Sequence, residues 1–217
     1  MAKTTDTYNA QTHWDAAYTG TATQQLGWYE AAANPTLALL AKTKLPKNAR
    51  QLHVGAGSSK LIDSLVSLDY TELIVNDISA ISMQTLQERL GAKATDITFV
   101  VDDLLQADKL QELPPVALWN DRAVAHFFTS EADQQTYFNL VRKLVAIDGF
   151  VIIAAFDLEE GATKCCGLPV FRYTTEMLQE RLGNAFKLVT DFKHTFTNPN
   201  GDARPYIYTL FQRTSAV

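Results

Sequence analysis

A pair of glycines and an aspartate are the residues of this sequence whose types point most directly to chemistry. An apolar run over residues 51–54 is followed by Gly55 and Gly57, and a second apolar run over 72–76 is followed by Asp77. Glycines let a backbone turn tightly and approach a ligand, and a carboxylate can accept hydrogen bonds from ribose hydroxyls. The spacing therefore predicts a nucleotide site where two parallel strands end.

The residue three positions after Gly57 narrows the choice of nucleotide. A dinucleotide site has a third glycine there, which lets helix and strand pack closely under a pyrophosphate, whereas this sequence has Lys60. The sequence also lacks the Gly-Lys-Ser/Thr segment of a phosphate-binding loop. The pattern favours S-adenosylmethionine, which has an adenine and a ribose but no phosphate, over NAD. A tight turn that binds no ligand is the alternative interpretation.

Polar residues after the apolar strand over 116–119 could act on a methyl acceptor. Methyl transfer from a sulfonium is an in-line displacement that depends on alignment, and it needs a base only when the acceptor must lose a proton. Asp121 and Arg122 could orient the acceptor or bind the amino and carboxylate groups of the cofactor, or they could be an ion pair that stabilises a loop. His126 could be a general base near neutral pH or a hydrogen-bonded helix residue.

Aromatic rings and two thiols occur on either side of this region in the sequence. Trp14, Trp28 and Tyr29 could form a lid whose ring faces attract a sulfonium, or they could hold the amino-terminal segment on the sheet. Cys165 and Cys166 are neighbours, which disfavours a structural disulfide because such a bridge strains the backbone. We expect both thiols to contact the substrate. A soft metal is the alternative, but we predict no metal site.

The elements that must position these residues alternate between strands and helices, which predicts a doubly wound α/β fold. The predicted strands cover 51–54, 72–76, 97–101, 116–119 and 150–156. The predicted helices cover 6–20, a segment from Asn34 and Pro35 towards Lys44 with Asn34 as its cap, segments that start at Ser59, Ser79 and Ser130, and residues 174–182. Asp148-Gly149 is predicted as a turn and 157–173 as a loop.

Two final strands, 186–196 and 206–212, complete the predicted sheet. Their short connection contains Asn200-Gly201, which predicts an antiparallel hairpin rather than a crossover. We therefore predict a mostly parallel seven-stranded sheet with a final antiparallel strand. This finish distinguishes methyltransferases from ordinary dinucleotide folds.

Length and composition indicate one domain, because 217 residues with 47% hydrophobic content can form a substantial core. We expect a helical lid over 1–46, a cofactor-binding core over 47–156, and an acceptor-side loop, helix and hairpin over 157–217. The net charge of -5 and the lack of a basic run argue against a nucleic-acid partner. No apolar run could span a membrane. The first six residues carry no apolar signal segment, so we expect a cytoplasmic protein. The oligomeric state stays open.

The sequence resembles the class I S-adenosylmethionine-dependent methyltransferases over nearly its whole length. Gly55 and Gly57 match the glycines beside the methionine part of the cofactor, Asp77 matches the ribose-binding acid, and Ile78 matches the residue beneath the adenine. The resemblance implies a Rossmann-like fold and S-adenosylmethionine as cofactor. The other cofactor-binding residues that it implies are Trp14, Asp103 with Leu104 near the adenine amino group, Asp102 as an alternative acid, and Asn120.

A narrower resemblance is to a small bacterial group of this superfamily with the motifs Trp-His-Asp-Arg and Cys-Ser-Gly-Leu-Pro-Val. This sequence has Asn120 in place of the histidine and Cys166 in place of the serine. The second change adds a thiol to the motif. The resemblance covers Trp14-Asp15, 27–29, 119–128 and 166–173, and the substrate-binding residues that we expect are Trp28, Tyr29, Cys165, Cys166 and Arg172.

The function expected from these residues is methyl transfer from S-adenosylmethionine to a small-molecule acceptor. A protein methyltransferase acting on lysine is one alternative, and it would need an open groove rather than a closed pocket. A module that binds S-adenosylmethionine without catalysis is a second. An NAD-dependent oxidoreductase is disfavoured by Lys60.

Overall fold

A seven-stranded mixed sheet forms the centre of the computed structural model, which describes residues 9–215. The strands are β1 (Gln51–Val54), β2 (Leu73–Asp77), β3 (Ile97–Val101), β4 (Val116–Arg122), β5 (Val145–Phe156), β6 (Phe186–Thr197) and β7 (Ala203–Arg213). Their order is β3-β2-β1-β4-β5-β7-β6. Strands β1 to β5 pair in parallel, and β7 is antiparallel to both β5 and β6. The predicted doubly wound sheet with its final antiparallel strand is confirmed.

Six α-helices pack around the sheet in the part of the chain that is described. They are α1 (Ala10–Gly20), α2 (Asn34–Thr43), α3 (Lys60–Ser67), α4 (Ala80–Leu90), α5 (Glu131–Leu144) and α6 (Thr175–Leu182). Ser59, Ser79 and Ser130 each accept a hydrogen bond from the first turn of their helix, as predicted. None of these helices is both long and apolar enough to cross a membrane.

Alternating strand residues divide the hydrophobic core into two layers, because successive side chains of a strand point to opposite faces. On β5, Val151 and Ile153 pack on the side of α5 and α6, whereas Ile152 and Ala154 pack on the side of α2, α3 and α4. Helices therefore cover both faces of the sheet. The carboxyl ends of the parallel strands are not covered by these helices, and a ligand can bind there.

Several predicted boundaries differ from the structure. The predicted turn at Asp148-Gly149 lies inside β5, which begins at Val145. Asp148 has a left-handed φ of 65°, and a Cβ on Gly149 would lie 2.8 Å from the carbonyl oxygen of Ala146, so the chain bulges there without leaving the sheet. Strand β4 also continues through Arg122 instead of ending at 119.

Three other predictions need correction or fall outside the described chain. The predicted 157–173 loop contains a short antiparallel hairpin of Lys164–Cys165 with Leu168–Pro169. Helix α2 is preceded by Ala33, and Asn34 is already helical instead of being its cap. The first residues of the predicted 6–20 helix lie outside the described residues, and α1 begins at Ala10.

Candidate functional site

A cavity of about 770 Å³ lies where β1, β2, β3, β4 and β5 end. One half lies beside β2 and β3, and the other lies beside β5 and the start of β7. The first half is lined by Trp14, Asn76, Asp77, Ile78, Asp102, Asp103, Leu104, Leu105, Phe127 and Phe128. The second half is lined by Phe156, Lys164, Cys165, Cys166, Leu168, Pro169, Asn198, Asn200, Asp202, Arg204 and Tyr206. We call these the nucleoside half and the acceptor half.

The glycine loop between β1 and α3 contains two glycines that have left-handed φ values and lie close to other side chains. Gly55 and Gly57 have left-handed φ values of 54° and 50°. A Cβ on Gly55 would lie 2.0 Å from Val124 Cγ2, and one on Gly57 would lie 2.2 Å from Tyr18 Oη. Both positions thus require glycine on conformational and steric grounds. Gly55 lines the cavity, whereas Gly57 lies behind its wall.

The carboxylate of Asp77 joins this loop to the start of α4. It accepts hydrogen bonds from the backbone N–H of Gly57 at 2.9 Å and from that of Ser79 at 2.8 Å. Burial raises the pKa of Asp77 to about 6, against the opposing effect of these hydrogen bonds. Each carboxylate oxygen has a second lone pair, so Asp77 can fix the loop and still accept a hydrogen bond from a ligand in the cavity.

The two neighbouring acids after β3 have different surroundings. Asp102 Oδ2 accepts hydrogen bonds from the backbone N–H groups of Lys109 and Leu110, at 2.8 and 2.9 Å. Asp103 Oδ1 accepts one from the N–H of Leu105 at 2.9 Å. Both acids line the cavity, but Asp102 has the larger structural role. Asp103 is therefore the better candidate for the acid that contacts an adenine.

Edge-to-face aromatic contacts cover the nucleoside half. Trp14 of α1 packs against Trp28 and Phe127, with ring centroids 5.6 and 5.1 Å apart, and Tyr18 packs against Trp28 at 5.5 Å. Helix α1 is held on α4 by a 2.6 Å hydrogen bond from the Ser79 hydroxyl to Asp15. We call Trp14, Tyr18, Trp28 and Phe127 the aromatic cluster. It forms one wall of the cavity.

Arg122 fastens the segment between α1 and α2 to the sheet. Its Nη1 donates to the carbonyl oxygen of Trp28 at 3.1 Å, and its Nε lies 3.2 Å from both the Tyr208 hydroxyl and the Glu30 carboxylate. Its Nη2 is buried and has no hydrogen-bond partner within residues 9–215. The guanidinium lies over Tyr206, 5.6 Å from the ring centroid. Arg122 lines the cavity, and the two N–H donors of its buried Nη2 have no partner among the described residues.

Asp121 points away from the cavity and lies outside its wall, contrary to the expectation that it faces the ligand. Its carboxylate is fully buried, and it accepts hydrogen bonds from the N–H groups of Val124 and Ala125 at 3.0 Å and from the Tyr137 hydroxyl at 2.6 Å. The reason is the alternation of side chains along β4, which sends Asp121 towards α5. Asp121 can influence the site only through the turn that it stabilises.

His126 sits in the cavity wall at the end of this turn. Its ring stacks on Phe156 with centroids 4.3 Å apart, and neither ring nitrogen has a hydrogen-bond partner among the described residues. Burial, reinforced by the charge of Arg122, lowers the pKa of His126 to about 3. The imidazole is therefore neutral at pH 7. Both ring nitrogens are buried, so a hydrogen bond to a ligand would require the ring to move, and the imidazole is a weak base.

A second cavity, of about 50 Å³, is lined by two predicted site residues that do not line the main cavity. Asn120 and Tyr29 line it, together with the buried His53 and Thr36. Burial lowers the pKa of His53 to about 3. Asn120 and Tyr29 therefore line a small cavity between β4 and the amino-terminal segment. Neither residue lines the main cavity. Their predicted cofactor and substrate contacts do not follow from this placement.

Arg172 lines neither cavity. Its Nη1 donates a hydrogen bond to the carbonyl oxygen of Glu160 at 2.8 Å, which stabilises the segment leading to the thiol hairpin. A direct substrate contact from Arg172 is therefore not supported by its position. Cys165 and Cys166, by contrast, line the acceptor half, and their contact with a substrate stays a prediction.

The structure adds cavity residues that sequence reasoning missed. They are Tyr18, Phe127, Phe128, Lys164, Asn198, Asn200, Asp202, Arg204 and Tyr206. The turn between β6 and β7 was recognised only as a connection, although its Asn198 and Asp202 are joined by a 3.0 Å hydrogen bond beside the cavity. Its polar composition was the available signal, but only the antiparallel pairing of β7 with β5 brings it to the site.

Solved structures of known proteins share this architecture. The chain aligns with a protein from Anabaena variabilis described as a SAM-dependent methyltransferase, at a TM-score of 0.76 and 12% identity, covering 95% of this chain and 96% of the other. The chain has the class I methyltransferase fold. No protein-family model matches the sequence, and the comparison with curated proteins gives no match either.

Two further structures with this fold contain S-adenosylhomocysteine. One is the 1,6-didemethyltoxoflavin-N1-methyltransferase of Burkholderia thailandensis, with a TM-score of 0.66, 17% identity and coverage of 96% of this chain and 92% of that one. The other is the N-methyltransferase NodS from Bradyrhizobium japonicum, with a TM-score of 0.68, 11% identity and coverage of 94% and 99%. These likenesses establish the fold of this chain.

Proposed function

We propose that this protein is an S-adenosylmethionine-dependent methyltransferase with a small-molecule acceptor. The proposal rests on one continuous cavity: Asp77 and Asp103 line one half, and Cys165 and Cys166 line the other. Its volume of about 770 Å³ lies within the range of small-molecule sites, roughly 300–1,000 Å³. A nucleoside and a second compact molecule could thus occupy one enclosure.

The residues of the nucleoside half suit this cofactor. Asp77 would accept hydrogen bonds from the ribose hydroxyls, Asp103 would accept one from the adenine amino group, and the aromatic cluster would cover the ligand. Lys60, in place of the third glycine of a dinucleotide site, disfavours a pyrophosphate. When bound, S-adenosylmethionine supplies an electrophilic methyl group. The S-adenosylhomocysteine in two structural neighbours supports this choice.

The acceptor half favours a compact molecule over a protein side chain. The hairpin of Lys164–Cys165 with Leu168–Pro169 borders it on one side, and the connection between β6 and β7 borders it on another. His126 and the buried Nη2 of Arg122 would contact the acceptor only after their side chains move. Because His126 is neutral and weakly basic, the geometry suits an acceptor that already presents a lone pair at neutral pH.

The proposal is tested by comparing ligands. Calorimetry should show binding of S-adenosylmethionine and S-adenosylhomocysteine and no measurable binding of NAD. Incubation with S-adenosylmethionine labelled in its methyl group and a metabolite extract should then transfer label to a small molecule. Tight NAD binding without binding of the sulfonium cofactor would overturn the proposal. Label found only on protein would overturn the small-molecule acceptor and favour a protein substrate.

A further inference from the structure

The turn of the short hairpin brings two thiols to one place. Neighbouring residues in extended chain point to opposite sides, yet Cys165 Sγ and Cys166 Sγ are only 3.5 Å apart. Cys166 and Gly167 form the two-residue turn between the paired residues Cys165 and Leu168, with φ values of 53° and 81°. Left-handed φ is uncommon for a residue such as cysteine. This conformation places both sulfurs on the same side of the hairpin.

The thiol pair lines the acceptor half, whose wall combines apolar and charged residues. Phe156, Leu168 and Tyr206 line the cavity with Cys165 and Cys166, and both thiols are half-buried. The hydrogen bond with Cys166 lowers the pKa of Cys165, and the positive charge of Arg204 acts in the same direction. One sulfur of the pair is therefore the more readily available thiolate.

The distance between the two sulfurs is too long for a disulfide and fits a single bridging atom. A disulfide requires about 2.05 Å between sulfurs, so the two would have to approach by more than 1 Å across a trans peptide bond. A bridging atom with bonds to sulfur of about 2.3 Å would fit the 3.5 Å gap with an angle of about 100° at that atom. That angle is smaller than tetrahedral. It suits a pyramidal, trivalent centre that carries a lone pair.

The surroundings of the pair disfavour a conventional metal site. Structural zinc takes four protein ligands, and no group of three or more His, Cys, Asp or Glu side chains suited to a metal ion occurs within residues 9–215. The pair therefore supplies two sulfur ligands and leaves any third position to the incoming molecule. Soft thiolate ligands select soft centres.

We propose that Cys165 and Cys166 form a chelating site for a trivalent metalloid that carries one organic group, such as an organoarsenic(III) compound. Two sulfur–metalloid bonds form, and the metalloid–oxygen bonds of the oxide break. The two thiol protons leave with that oxygen as water, so no oxidant or reductant takes part. The organic group then lies against Phe156 and Tyr206, in the acceptor half.

The test uses phenylarsine oxide and the intact protein, whose only cysteines are Cys165 and Cys166. In the presence of excess 2-mercaptoethanol, intact-mass measurement should show one adduct per chain. After the monothiol has been removed, titration should show the loss of both free thiols. Cys165→Ser and Cys166→Ser should each weaken binding at least tenfold, because a single thiol cannot outcompete the added monothiol. An adduct that consumes one thiol, or binding that survives in either variant, would overturn the proposal.

A second pair of variants tests the geometry while both thiols are kept. Gly167→Val should weaken binding, because a β-branched residue resists the left-handed φ of 81° and the turn would open. Gly167→Asn should retain binding, since asparagine tolerates this conformation, and a Cβ at this position meets no atom within 4 Å among the described residues. Equal affinity in both variants would mean that the turn does not create the site. The assay requires no methyl transfer, so its failure would leave the proposed function untouched.

Discussion

At the scale of single residues, the site depends on groups that serve the fold and the cavity together. Asp77 accepts hydrogen bonds from the glycine loop and from α4 while it lines the cavity. Arg122 anchors the amino-terminal segment, and its buried Nη2 has no hydrogen-bond partner among the described residues. The carboxylate of Asp121, one position earlier, accepts hydrogen bonds within the turn that leads to His126 and does not face the cavity. Substitutions at these positions therefore need readouts that separate binding from folding.

Replacing Asp77 should weaken cofactor binding. We expect Asp77→Ala to cost about 1–3 kcal/mol in the binding free energy of S-adenosylhomocysteine, because the ribose hydroxyls lose a charged acceptor. The pKa of Asp77 is raised to about 6, so the wild-type affinity should also fall as the pH drops through 6 and the carboxylate becomes protonated. Calorimetry from pH 5 to 8 measures both effects. Asp77→Asn is the control for the pH effect, since its amide does not titrate, although it can accept only one of the two backbone hydrogen bonds.

At the scale of elements, three segments with no place in the central parallel sheet enclose the cavity. Helix α1 and the residues after it contribute the aromatic cluster, the thiol hairpin contributes the sulfurs, and the connection between β6 and β7 contributes Asn198, Asn200 and Asp202. The parallel strands supply the nucleoside half. Cofactor binding and acceptor binding should therefore be separable by substitutions in different elements.

The amino-terminal segment should loosen when Arg122 is replaced. Arg122→Gln removes the ion pair with Glu30 and at least one of the hydrogen bonds to Trp28 and Tyr208, at a cost of roughly 2–3 kcal/mol in stability. Hydrogen exchange should then accelerate most strongly over residues 21–33. Glu30→Gln keeps the bond to Trp28 and should have the smaller effect. A hydrogen-exchange rate that rises equally over the whole chain would contradict the idea that Arg122 holds the amino-terminal segment in place.

The thiol hairpin should affect turnover more than cofactor binding. In the double variant Cys165→Ser with Cys166→Ser, we expect the methyl-transfer rate at saturating cofactor to fall, with an unchanged dissociation constant for S-adenosylhomocysteine. The reason is that both thiols line the acceptor half and lie outside the nucleoside half. Loss of cofactor affinity with a normal rate would mean that the hairpin contacts the cofactor and not the acceptor.

At the scale of the whole molecule, buried titratable groups couple the stability of the fold to pH. His53 and His126 are buried with pKa values lowered to about 3, so the folded state holds them neutral while the unfolded state protonates them below pH 6.5. Asp77 and Asp121 have the opposite effect, since burial raises their pKa values to about 6 and favours the protonated folded form. The two pairs therefore change stability in opposite directions as the pH falls below about 6.

Single substitutions should separate these contributions. The stabilisation from neutral His53 is complete above its unfolded pKa and is lost as the pH falls towards its folded value, by about 2 kcal/mol at pH 5. His53→Leu should therefore lose less stability than wild type between pH 7 and pH 5, as measured by urea unfolding. Asp121→Asn should lose more, because it removes a group that stabilises the folded state on acidification. If the free energy of unfolding changed with pH in the same way in all three proteins, the pKa shifts of both His53 and Asp121 would be contradicted.

The sequence by itself determined the sheet, the glycine loop and the position of Asp77, because these depend on local patterns. Apolar runs of strand length, capping serines and a glycine pair before a helix all act within a few neighbouring residues, and parallel strands must all end at one edge. The tertiary structure decided which of the nearby polar residues face the cavity. Asp121 points away from the cavity because β4 continues through Arg122 and successive side chains alternate. Asn120 shares the face of Arg122 but lines only the second cavity, beneath the amino-terminal segment. The acceptor half depends on contacts between distant parts of the chain, since β7 returns beside β5 and a left-handed turn brings the two thiols together.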